Sequence, residues 1–167
     1  MSYHHGDLRR ALLDAAASVI AESGVSGLSM RDLARRAGVS HAAPAHHFRD
    51  RAGLLTALAA EGFHLLADAM EPAGTVLDAG VAYVHFAVTH PAHFEVMFHP
   101  GRYHRDDAAV RAAQARSGFA GRGEAGLAGW SIAHGFATLW LNGAMPEVEE
   151  TPEDAVRAVL RRLDPTR

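Results

Sequence analysis

Between residues 8 and 163 the apolar side chains return every three or four positions, and nowhere do they alternate with polar ones as in a half-buried strand. That property confines the chain to an all-α architecture. Leu8, Leu12, Ala16 and Ile20 fall one turn apart on a first helix, which Asp7 is placed to cap and Gly24 to stop. Ser29-Met30-Arg31-Asp32 has the form of a capping box, so a second helix starts at Ser29 with Met30, Leu33, Ala34 and Ala37 inward. Gly38 supplies a sharp exit. Ser40 then caps a short third helix over 40–47, with Pro44 close enough to its opening to be tolerated. Asp50 caps a long apolar helix through Leu54, Leu55, Leu58, Phe63 and Leu66, which ends near Glu71-Pro72.

Downstream, Thr75 and Asp78 open a helix that buries Val81, Val84, Val88 and either His85 or Phe86. His90-Pro91 ends it and starts another, anchored by Phe94, Met97 and Phe98. A short helix is expected over 106–117. Five glycines between 118 and 129 read as a loop. Residues 127–141 are apolar nearly all round, as in a buried or interface helix. Residues 152–163 form an amphipathic helix with Val156, Val159, Leu160 and Leu163 inward.

Composition narrows the function classes. The chain has 167 residues, 49% of them hydrophobic, which suits one core or a small module packed on a larger one. It has no cysteine, which excludes disulfides, zinc–thiolate sites, iron–sulfur ligation and cysteine nucleophiles. The polar first seven residues do not form a signal peptide, and no apolar run reaches the roughly 18 residues of a membrane span. A cytoplasmic protein without membrane contact is the expectation. Charge is uneven: residues 1–55 hold seven arginines and five acids, the remainder nine arginines and fourteen acids. The basic end is the one suited to phosphates.

Residues 29–47 read as helix, glycine-containing turn, short helix, which is the helix-turn-helix arrangement. Ala34 is small where the helices cross and Val39 points back between them. The second helix is short and carries small and polar residues that fit a major groove. Ser40 is placed to hold a phosphate, while His41, Ala43 and His46 are the candidates for base edges, Ala43 for a thymine methyl. His47 and Arg51 sit where phosphates pass, and Arg31 on the supporting helix is a further backbone contact. A plain helical bundle with solvated arginines is the bland alternative.

Residues 8–58 resemble the N-terminal DNA-binding domain of the tetracycline-repressor-like (TetR) family. The resemblance rests on Leu28-Ser29-Met30-Arg31-Asp32-Leu33-Ala34, then Ala37-Gly38-Val39-Ser40, Pro44, His47-Phe48, Arg51 and Leu54-Leu55. It implies a homodimer on a palindromic double-stranded operator, usually a repressor released by a small molecule. The family's phosphate-contacting positions fall on Ser40, His47 and Arg51, the last usually lysine. Where the family commonly has a tyrosine that reaches the DNA backbone, this chain has Ala45. Further on, Ala82-Tyr83-Val84-His85-Phe86-Ala87, His90-Pro91, Phe94 and Met97-Phe98, with Trp130, His134 and Gly135, resemble the regulatory domain of the subgroup named for tryptophan, histidine and glycine (WHG). The domains implied are 1–52, reading DNA, and 53–167, binding a ligand and dimerising. The family's habit of dimerising through its last two long helices assigns that contact to 127–141 and 152–163. A hydrophobic effector would meet Tyr83, Phe86, Phe94, Met97, Phe98, Trp130, His134 and Phe136, although aromatics at helical spacing are also ordinary core.

Other classes fit less well. His85, His90, His93, His99 and His104 invite a metal-responsive regulator, yet only His90 and His93 share a helical face and no acid accompanies them at i,i+4, so no metal site and no cofactor are expected. Ser131 and His134 lie on one helix without an orienting acid, and no phosphate loop or nucleophile elbow occurs, so no enzyme is expected. A helical dimeric interaction module that has lost DNA binding is kept open by Ala45.

Overall fold

The computed structural model describes residues 5–117, 123–147 and 149–162. Among these residues there are helices and no strand: α1 His5–Ser23, α2 Met30–Arg36, α3 Ala43–Phe48, α4 Arg51–Met70, α5 Val76–Thr89, α6 Pro91–Met97, α7 Ala108–Arg116, α8 Gly123–Leu141 and α9 Pro152–Arg162. They fall into two compact units, Met1–Gly62 with Ala92–Arg111, and Phe63–Pro91 with Ala112–Arg167. The border between units therefore crosses the chain more than once, and its first crossing lies within α4.

In the first unit, Leu12, Ala16 and Ile20 are buried at four-residue spacing along α1. That helix already begins at His5, so Asp7 lies within its first turn and does not cap it. Gly24 ends α1 at φ +70, and a single 3₁₀ turn, Val25–Gly27, follows. The Ser29 side chain accepts from the Asp32 N–H and opens α2, which buries Leu33 and Ala34. Its exit is a Schellman motif: Gly38, at φ +66, donates to the Arg35 carbonyl and Val39 to that of Ala34, at 3.3 and 3.0 Å.

The third helix departs from expectation. It starts at Ala43, so Ser40 is not its cap. Pro44 has no N–H and cannot give the Ser40 carbonyl its helical bond. The Ala43 N–H donates to that carbonyl instead, at 3.0 Å, and residues 40–43 form a turn that α3 follows.

Behind α3 the chain reverses within three residues. The Asp50 N–H donates to the Phe48 carbonyl at 2.9 Å around Arg49, which stands at φ 67 and ψ −60, a tight γ-turn. The Asp50 carboxylate accepts from the Gly53 N–H at 2.8 Å and caps α4 as expected. The Arg51 guanidinium reaches back, its Nε donating to the Leu28 carbonyl at 3.1 Å and its Nη2 to that of Val25 at 2.6 Å. Glu95 of α6 grips the same turn from the other side, accepting from the Val25 N–H at 3.0 Å. Farther along α4, the Thr56 hydroxyl accepts from the His104 N–H at 3.0 Å, and Gly62 leaves room for Met97.

In the second unit, α5 packs against α8 and α9. Thr75 accepts from the Asp78 N–H at 3.1 Å and opens α5, where Phe86 is buried and His85 is exposed. Residues 123–129 belong to α8 and are not the expected loop; residues 118–122 lie outside the described residues. Gly129 serves packing, since a Cβ on it would stand 2.8 Å from the Val76 side chain. Likewise a Cβ on Gly80 would stand 2.5 Å from Leu160 of α9. Val156 and Leu160 are buried in α9, but Val159 is 40% exposed and does not point inward. The face toward α5 centres on Val156 and Leu160, which leaves Val159 on its flank. Leu163 lies outside the described residues.

The tightest point of the first unit is Gly53, whose Cβ, if it had one, would stand 2.0 Å from the Phe48 carbonyl oxygen. Gly53→Ala is expected to cost about 2 kcal/mol or more through overpacking against backbone. Urea unfolding of the variant checks this; an unchanged midpoint would show that the turn yields freely.

Candidate nucleic-acid interface and interior cavity

The surface of the first unit that could meet DNA is built on α3 and its two flanking turns. Pro44 and Phe48 are buried and fix the inner face of α3, and Arg9 of α1 covers the Phe48 ring with its guanidinium carbon 5.3 Å from the centroid. The outer face follows by helical geometry. Ser40, His41, Ala45 and His46 are exposed, and Ala43 and His47 half-buried. The His46 and His47 rings meet edge to face at 5.5 Å. No side chain larger than alanine occupies position 45 between Pro44 and His46, so the exposed polar groups of α3 itself are imidazoles.

Cations flank this surface unequally. Arg31 is exposed on α2. Arg36 is tied to Glu22 by two bonds, 3.1 and 2.8 Å, which hold the Glu22 carboxyl below its ordinary range and the guanidinium above its own. Arg35 lies 3.4 Å from Asp32. Arg51 is half-buried on its two carbonyls, while Arg49 is exposed. Of the seven residues expected at DNA, Arg31, Ser40, His41, Ala43, His46 and His47 lie on α2, α3 and the turn between them, and Arg51 lies at the start of α4. Arg49 was not singled out by sequence. Its only signal was its place in the turn between two helices.

The eight residues expected at an effector do not form one group. Tyr83, Trp130 and His134 come together in the second unit: the Tyr83 hydroxyl and His134 Nδ1 lie 2.8 Å apart, and the Trp130 and His134 rings 6.0 Å. Phe86 is buried and stacks on His90, and Phe136 stacks on Trp140. Phe94, Met97 and Phe98 belong to the first unit, where Phe94 and Phe98 lie 5.1 Å apart.

Beside Tyr83 and Trp130 is a small, partly open cavity of about 20 Å³, walled also by Met70, Val76, Gly80, Gly126 and Gly129. It has room for about one water molecule. Burial pushes the Tyr83 phenol well above its ordinary pKa and pulls the His134 imidazole below its own. The sequence places Gly126 in a loop and Gly129 where the expected loop and the expected helix 127–141 overlap, so neither was expected as a wall. Their three-residue spacing beside Trp130 is the signal that marks one small helical face. Among the described residues no three of His, Asp or Glu gather closely enough to hold a metal, and no helix is long and apolar enough to cross a membrane.

Comparison with known proteins meets this geometry at both ends of the chain. Residues 12–58 match the family model of bacterial regulatory proteins, tetR family. Residues 76–163, more than half of the chain, match that of the tetracyclin repressor-like C-terminal domain. The HTH-type transcriptional regulator BetI of Cronobacter sakazakii (strain ATCC BAA-894) is 40% identical over 62 residues, which are 37% of this chain and 31% of BetI. The chain thus matches about a third of that relative's length. A protein of unknown function from Rhodococcus sp. RHA1 is similar over nearly its whole length, with 36% identity, coverage of 97% of this chain and 96% of that one, and a TM-score of 0.76. The multidrug binding protein EbrR, solved with imidazole, shares the fold at 23% identity, with coverage of 96% and 92% and a TM-score of 0.59. The chain belongs to the tetR family of bacterial regulatory proteins and is a transcriptional regulator with a helix-turn-helix DNA-binding domain.

Proposed function

We propose that this regulator is a cytoplasmic repressor that binds a palindromic operator as a homodimer through α3, and that a small hydrophobic effector releases it. The observation that carries the reading is the exposed outer surface of α3 and its preceding turn, held on α2 by the Gly38 turn and on α4 by the Gly53 contact. His41, Ala43 and His46 face base edges, and Arg31, Ser40 and His47 face phosphates. The domain that reads DNA ends near residue 52, and the remainder serves the effector and the dimer.

The dimer is assigned to α8 and α9. Leu127, Leu139 and Leu141 of α8 and Val159 of α9 are 56, 48, 38 and 40% exposed. Large apolar side chains left on two long helices suit a self-complementary two-fold contact. The effector is assigned to the cavity beside Tyr83, Trp130 and His134. A cavity of about 20 Å³ is far below the roughly 300 Å³ of a drug-sized site, so an effector enters only by moving its walls, which couples occupancy to shape. The neutral phenol and imidazole suit an uncharged ligand with one hydrogen-bonding group. The similar fold of EbrR, a multidrug binding protein, is in keeping with such a pocket.

Selection of duplexes from a random pool tests the reading. The expected product is an inverted repeat whose affinity falls linearly with the logarithm of salt concentration. His46→Ala is expected to relax base preference by about 1–3 kcal/mol at one position per half-site. A folded protein that retains no duplex at low salt would instead favour an interaction module without DNA binding.

Leu139→Glu combined with Val159→Glu is expected to halve the mass seen by light scattering and to abolish operator retention. Dimers persisting in the double variant would place the interface elsewhere.

The cavity also carries a pH signature. His134 has its pKa lowered in the fold, so as pH falls through the unfolded value of 6.5 the unfolded chain takes up a proton first. The stability it contributes is intact above that pH and drains below it. His134→Gln is therefore expected to show a smaller drop in Tm than wild type between pH 7.5 and 5.5, and equal drops would remove His134 from this role.

A further inference from the structure

We propose that Arg49, and not Arg51, supplies the arginine contact to the DNA backbone phosphate at the end of the reading helix. The inference rests on the DNA-binding reading of α3 and assigns a phosphate site within it.

Arg51 is occupied. Its Nε and Nη2 donate to the carbonyls of Leu28 and Val25, at 3.1 and 2.6 Å, and its side chain is half-buried in doing so. Swinging the guanidinium toward a phosphate would take the charged donors from both carbonyls and loosen the 3₁₀ turn from the start of α4. A protein that made its DNA contact this way would weaken its own reading domain each time it bound.

Arg49 is two residues earlier and differently placed. It is exposed, and it pairs with no carboxylate among the described residues. The adjacent Asp50 has an oxygen committed to the Gly53 N–H. Three other arginines of the reading domain lie in ion pairs, Arg10 with Asp14 and Glu61, Arg35 with Asp32 and Arg36 with Glu22, while Arg31 is exposed on α2. Arg49 also stands at φ 67, and it is the only non-glycine residue with positive φ among those described. Glycine or asparagine would occupy that position at less cost. The strain is held by three neighbours: the Asp50 N–H on the Phe48 carbonyl, the buried Phe48 ring, and Gly53, which alone lets the Phe48 carbonyl come so close. A left-handed residue imposed by its surroundings, bearing a planar cation that no carboxylate among the described residues pairs, roots that cation at a fixed point of the backbone directly after α3. The chemistry it fits is a phosphodiester oxygen pair, which a guanidinium can meet with two parallel bonds.

The test uses the full chain and a duplex selected by the wild-type protein from a random pool. The readouts are the slope of log affinity against log salt, and Tm. Arg49→Gly removes the cation and suits the backbone angle. It is expected to melt no lower than wild type and to lose about one unit of salt slope per half-site, which is about tenfold in affinity per half-site at 0.1 M salt relative to 1 M. Arg49→Lys is expected to keep the slope. Arg51→Ala is expected to melt lower and to keep the slope at temperatures where it is folded. A wild-type slope in Arg49→Gly, or a lost unit in folded Arg51→Ala, would overturn the assignment while leaving DNA binding intact. Failure of the wild-type protein to retain any duplex would bring down the DNA-binding reading itself.

Discussion

Two carbonyl groups at a 3₁₀ turn and the guanidinium that holds them organise the reading domain. The turn Val25–Gly27 is too short to have a core of its own, and its peptide groups would be costly to bury unpaired. Arg51 satisfies the carbonyls of Val25 and Leu28, and Glu95 satisfies the Val25 N–H. Both partners are charged, so these bonds are stronger than neutral ones, and half-burial protects them from screening. Their effect is geometric. They tie the exit of α1 to the start of α4 and to α6. With those fixed, α2 has one direction to leave Ser29, and the Gly38 turn sends α3 to one place. The exposed face of α3 is thus set by residues that DNA would not touch.

The same tie explains why the sequence was legible in some places and not in others. Capping boxes at Ser29 and Thr75, the cap at Asp50 and the stop at Gly24 are local devices, each completed within a few residues, and they stand where their residue types put them. The start of α3 was misread by three residues because Pro44 acts through a bond it cannot make with Ser40, a subtraction that residue preference does not register. The role of Arg51 was hidden for a different reason. An arginine beside a reading helix has the same spacing whether it faces outward to phosphate or inward to carbonyls 23 and 26 residues away. Only tertiary contact decides, and it also decides that Arg49 stays outside. Gly126 and Gly129 show the converse error: glycine signals a turn when it lies between helices and close packing when it lies on a buried helical face.

The second unit obeys a different constraint, the close approach of α5 to α8 and α9. Gly80 and Gly129 remove side chains where helices meet, so Leu160 and Val76 fill the space. Close packing of this kind leaves little void, and what remains lies at Tyr83 and Trp130, where planar side chains cannot be stacked into glycine-lined space without a gap. Aromatic residues at helical spacing were read together as a pocket, yet the chain sorts them. Phe94, Met97 and Phe98 go to the first unit, while Tyr83, Trp130 and His134 keep a polar contact beside the void. The ones that remain at the cavity are those carrying a polar atom, and a polar atom left near a cavity can exchange its partner for a ligand's.

Charge is placed differently in the two units. Beside the cavity, burial raises the Tyr83 pKa and lowers that of His134, which favours their uncharged forms and disfavours charged ligands by desolvation. At α3, exposure leaves imidazoles and one strained arginine facing water, where a phosphate can be met without first breaking an internal ion pair. Arginines 10, 35 and 36 lie in ion pairs with carboxylates of their own unit, so each would meet a phosphate only in competition with that partner. What matters is which cations the fold leaves unpaired. A reading surface with few fixed charges gains little affinity from counterion release at any one site, so in the proposed homodimer two copies acting together would supply the rest. That dependence ties operator binding to the integrity of the dimer, and the dimer is assigned to helices of the unit that holds the cavity.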